Sequence, residues 1–83
     1  MKKHFILLWI ENPGTEIPKR YHDWEDALVI LANVAKEAKN VQTLAPSVWL
    51  IPRDSGLPFV AQCMERARLK DLKCHTKFVD EET

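Results

Sequence analysis

A single α+β domain of order β-α-β-β-α-β is the architecture this sequence predicts, and three observations predict it. The chain has 83 residues, 46% of them hydrophobic, which supplies one small core and leaves no room for a second. Short, apolar, β-prone runs alternate along it with longer stretches of helical period. The two most apolar runs, residues 5–10 and 48–51, are each followed by one of those helical stretches.

Residues 5–10 form an unbroken apolar run between His4 and the turn-forming Asn12-Pro13-Gly14. Without alternation, the run reads as a strand covered on both faces. Residues 12–22 carry Pro13, Gly14 and Pro18 and no periodicity, so they read as a loop of the length that often serves function. Asp23 is the expected N-cap of the first helix, with Glu25 and Asp26 near the positive end of its dipole. Trp24, Ala27, Leu28, Leu31, Val34, Ala35 and Ala38 recur at spacings of three and four, which predicts an amphipathic helix over 24–40. Residues 41–44 are a weaker strand that forms a hairpin with 48–51 across Ala45-Pro46-Ser47. Without that strand the order becomes β-α-β-α-β, a three-stranded parallel sheet of half-Rossmann type.

Asp54-Ser55-Gly56 caps the second helix, and Pro58 suits its first turn. Its inner face is expected to be Leu57, Val60, Ala61, Met64 and Ala67, with Glu65, Arg66, Arg68 and Lys70 outward. Residues 74–79 alternate in part and form the last strand, and 80–83 are expected to be a frayed acidic tail. This length and order suit the ferredoxin-like split β-α-β plan over residues 1–83, with strands 1 and 3 as the central pair and one sheet face open.

Twelve basic side chains balance twelve acidic ones, which removes a general electrostatic pull toward nucleic acid or anionic membrane. The run at 5–10 is too short for a signal-peptide core or a membrane span. Cys63 and Cys74 form no Cys-x-x-Cys pair, so the expected setting is the cytoplasm, with both thiols reduced and no membrane partner. Gly14 and Gly56 are the only glycines, and neither a phosphate loop nor a Gly-x-Ser-x-Gly elbow can be written. Cys63, Cys74, His75 and His4 contain zinc-binding atoms, but their spacing matches no closed site. No metal, other cofactor or catalytic residue is assigned.

Three features remain. Glu11 ends the first strand, where ligands collect in open α/β sheets. In this the chain is similar to the small CRISPR-associated endonucleases and their toxin relatives, which share the fold plan and carry an acidic residue there. It has Glu where they typically have Asp and shows no further motif of theirs; the resemblance implies a small dimeric, metal-dependent nuclease. Arg53, Ser55 and Gly56 open the second helix as a candidate anion site, although capping by Asp54 or Ser55 explains the same residues.

The third feature is aromatic. Strand alternation sends Ile6, Leu8 and Ile10 toward the helices and Phe5, Leu7 and Trp9 to the other face, where Trp49 and Ile51 are expected to join them. Two helices cannot cover both faces. Phe5, Leu7, Trp9, Trp49 and Ile51, with His75 and Lys77 on the last strand, are therefore the expected interface or binding residues. The function this favours is a self-associating, non-enzymatic binding module that forms a homodimer. Single-stranded nucleic-acid binding on the same face ranks second, because the glycine-and-aromatic signature of RNA-recognition modules is missing.

Overall fold

The structure, a computed structural model, describes residues 2–82. Its elements follow the order β1 (Lys2–Ile10), α1 (Pro18–Glu37), β2 (Gln42–Ala45), β3 (Val48–Pro52), α2 (Leu57–Leu69) and β4 (Cys74–Glu82). The four strands form one open sheet of order β2-β3-β1-β4, antiparallel throughout. The weak strand is real, and the three-stranded parallel alternative is corrected by it. A two-residue turn at Pro46-Ser47 joins β2 to β3, with Ala45 opposite Val48.

Several boundaries differ from expectation for identifiable reasons. The loop after β1 ends at Ile17, not at His22, because Pro18 starts α1. Proline costs a helix nothing in its first turn, where its missing N–H would have no partner, and its fixed φ suits the helix. Asp23, expected as the cap, sits one turn inside and pairs with Lys19 at 3.2 Å. Within the preceding loop, Gly14 takes a positive φ of 82° and donates its N–H to the Asn12 carboxamide. The C-terminal end of α1 falls at Glu37, and Asn40 then adopts a left-handed φ of 65°.

The residues expected to fray instead belong to β4 as far as Glu82; position 83 lies outside the described residues. They pair with an equally extended β1, with Lys3 opposite Glu81 and the His4 ring bonded to the Asp80 carboxylate at 2.8 Å. Opposite charges placed directly across a ladder favour this extension.

The core lies between one face of the sheet and the two helices. Ile6, Leu8 and Ile10 of β1 and Trp49 and Ile51 of β3 meet Ala27, Leu28, Leu31 and Ala35 of α1 and Phe59, Val60, Cys63 and Ala67 of α2. The apolar face of α1 is the expected one. That of α2 is rotated: Phe59 and Cys63 point inward, while Leu57 and Met64 are 56% and 47% exposed. The Phe59 ring meets Trp49 edge-on at 5.6 Å, and this contact sets which side of α2 faces the sheet.

Candidate functional site

Both helices pack on one side of the sheet, which leaves the other side without helical cover. Register decides which residues occupy it. β1 and β3 pair as Phe5↔Pro52, Leu7↔Leu50 and Trp9↔Val48, alternating with Ile6↔Ile51 and Leu8↔Trp49. Residues opposite each other share a face, so Phe5, Leu7 and Trp9 are joined by Val48, Leu50 and Pro52. Trp49 and Ile51 are on the helix side, fully buried, and their expected place on the open face is corrected. An odd-numbered residue of β1 faces an even-numbered one of β3, and the unbroken apolar run from Val48 to Pro52 carries no alternation to reveal this.

His75 and Lys77 lie on the open face as expected, opposite Trp9 and Leu7. Leu7, Trp9, Val48 and Leu50 are half-buried by their neighbours in the sheet, and Phe5 and Pro52 are buried at its lower end. Beside Phe5 and Pro52 lies a groove of about 830 Å³, whose rim includes Lys3, Gln42, Arg53 and Asp54. The groove was not legible in the sequence, because it depends on how the Asn40–Gln42 segment passes the end of β1.

At the upper end, the Trp9 and His75 rings stack with centroids 5.2 Å apart and planes 19° from parallel. The His75 Nε2 is 3.6 Å from a Glu11 carboxylate oxygen. Glu11 is held there by its main chain, whose N–H donates to the Lys73 carbonyl at 2.8 Å. Trp9, His75 and Glu11 thus form a continuous aromatic and acidic row. Among the described residues, no three His, Cys, Asp or Glu side chains converge as a metal would need.

The candidate anion site is divided. Arg53 turns to the β4 side, where its guanidinium bonds the Asp80 carboxylate and lies 4.8 Å from the Phe78 ring centroid. Ser55 and Gly56 border a different hollow, beside the C-terminal end of α1. The Gly56 N–H already donates to the Pro52 carbonyl at 2.8 Å, and α2 has no side-chain cap. Gly56 has a steric role: a Cβ there would come within 2.2 Å of an Ile51 methyl and 2.5 Å of the Pro52 carbonyl oxygen. The three residues do not converge, which corrects the reading of a shared anion pocket.

Both cysteines are free thiols, Cys63 buried under the sheet and Cys74 half-buried. Burial, with a smaller contribution from the nearby Cys74 thiol, pushes Cys63 up to about 12. Burial also raises Cys74. Neither is a ready nucleophile. No described helix is long and apolar enough to cross a membrane.

Comparison of the chain with family models, curated proteins and solved structures finds no match in any of the three.

Proposed function

We propose that this chain is a ferredoxin-like interaction module that self-associates through the open face of its sheet. The observation that carries the reading is the one-sided placement of the helices, which leaves Leu7, Trp9, Val48 and Leu50 together on a face that neither helix covers. The sheet order β2-β3-β1-β4, with each helix linking two parallel strands that flank a third, supports the split-plan reading. Two free thiols on separate elements suit a reducing compartment such as the cytoplasm.

A two-fold dimer brings the same patch of each copy together. Strands about 4.8 Å apart, rising about 3.4 Å per residue, give the platform a projected area of roughly 400 Å², since β1 and β4 have nine residues each, β3 five and β2 four. Standard-size interfaces bury about 800 Å² per partner. Face-to-face contact alone therefore belongs to the weak class, formed at high micromolar concentration.

The Trp9–His75 stack beside Lys77 supports a second reading, in which bases of a single-stranded nucleic acid stack on the same face. Sedimentation equilibrium of wild type and Trp9→Glu, beside filter binding of labelled single-stranded RNA and DNA at low and high salt, separates the two. Self-association predicts a wild-type mass that rises with concentration, a weaker rise for Trp9→Glu, and no retained nucleic acid. A wild type whose mass stays constant to high micromolar while it retains RNA at low salt supports the second reading and defeats the first.

A further inference from the structure

The two edges of the sheet differ. β2 is four residues long and its pairing with β3 slips between Thr43 and Ala45, features that blunt an edge against further pairing. β4 is nine residues long, contains no proline, and follows β1 in unbroken register. The direction of its main-chain groups follows from those of β1. The Glu11 N–H turns to Lys73 on the β4 side, whereas the Ile10 N–H and the His4 carbonyl turn to Ser47 and Arg53 on the β3 side. Odd-numbered residues of β4 therefore bond to β1, and the N–H and C=O of Thr76 and Phe78 point outward, away from the sheet. The Phe78 side chain stands opposite Ile6 on the helix side of the sheet. It is nonetheless 70% exposed, the largest exposure among the large apolar side chains of the described residues.

We propose that β4 pairs antiparallel with β4 of a second copy across a two-fold axis at Phe78, making one continuous eight-stranded sheet. An axis normal to the sheet keeps the faces of the two copies aligned, so residues of equal parity must stand opposite each other. With Phe78 opposite its own copy, the strand pairs along its whole length, and the two Phe78 residues exchange N–H···O bonds. On the open face His75 then stands opposite Glu81 of the partner subunit, and Lys77 lies diagonal to the same carboxylate. A register centred on Lys77 would set like charges directly opposite and is disfavoured. One centred on Val79 sets Lys77 directly opposite Glu81 of the partner subunit but forms a shorter ladder among the described residues. The Phe78 register thus combines the diagonal approach of Lys77 to the partner's Glu81 with the longest ladder among the described residues, and it closes as an isologous dimer. It also sets the two open faces side by side as a doubled platform. This inference stands on the edge and is independent of the open-face reading.

The test compares the mass of four chains by sedimentation equilibrium: wild type, Trp9→Glu, Phe78→Lys and the double variant, each with circular dichroism as a check of fold. With both contacts present, wild type exceeds a dimer of the 9.6 kDa chain, Trp9→Glu stops at a dimer, and the double variant is a monomer. Phe78→Lys, which touches no bond to β1, weakens the remaining association of Trp9→Glu at least tenfold. If Trp9→Glu dimerises and adding Phe78→Lys leaves that dimer unchanged, or if Trp9→Glu is already a monomer, edge pairing is overturned. If Trp9→Glu leaves the wild-type mass unchanged while Phe78→Lys lowers it, edge pairing stands and the open-face contact fails. Should Phe78→Lys unfold, amide exchange in Trp9→Glu decides: the Thr76 and Phe78 amides become protected as concentration rises if β4 pairs, and exchange equally fast at every concentration if it does not.

Discussion

Trp49 has no exposed surface and meets the Phe59 ring edge-on, so its role is to fill volume beneath α2. Trp49→Ala is expected to cost about 3–5 kcal/mol in urea melts, as large aromatic truncations in cores do. Trp9, on the other face and half-exposed, should cost clearly less in the same melts at low concentration. Equal losses would mean that the two faces are not distinguished as the register requires. Gly56 sits at an ordinary φ of −102°, so its constraint is space and not backbone strain. Gly56→Ala should destabilise by about 1–3 kcal/mol through overpacking against Ile51, and an unchanged urea midpoint would contradict the close approach. Cys63, raised to about 12 by burial, should resist iodoacetamide at pH 8 in the native protein and react on unfolding. Because its folded value lies above its unfolded one of about 8.5, the stability it contributes is complete below that value and is lost as pH rises from there toward 12. A midpoint that rises with alkali through this range would be the wrong sign.

Among the elements, α1 was the most legible, because seven apolar residues at helical spacing leave one arrangement that buries them. Leu31, at its centre and 1% exposed, should cost about 2–5 kcal/mol as Leu31→Ala; a loss below about 1 kcal/mol in urea melts would place the helix face elsewhere. The start of α1 was less legible. Asp23 and Pro18 both carry start signals, and local sequence does not rank them against the tertiary contacts of Arg20, which reaches the Asp71 carbonyl at 2.9 Å. In α2 the apolar residues outnumber those that one face can bury, so the face was settled by Phe59 meeting Trp49. β3 failed for a related reason: five consecutive apolar residues fit either parity, and only pairing with β1 chooses. The ends of β1 and β4 depend on Lys3–Glu81 and His4–Asp80 pairs more than seventy positions apart, a separation that no local pattern reports.

For the whole molecule, strand order and the one-sided helix layer follow from the β-α-β-β-α-β sequence of elements, and an open face follows from the helix count. Which residues line that face did not follow, since it rests on one register. The central claim is that Leu7, Trp9, Val48 and Leu50 share a half-buried face, which a second copy is proposed to cover. Covalent labelling of tryptophan across a dilution series, read residue by residue by mass spectrometry, tests it most directly. Trp49 should stay unmodified at every concentration at which the chain is folded. Trp9 should label readily in dilute protein and become protected as the concentration rises through the high micromolar range, with Trp24, bonded to the Ile10 carbonyl, unchanged. Trp9 labelling equally at all concentrations, or Trp49 labelling with Trp9, would contradict the account.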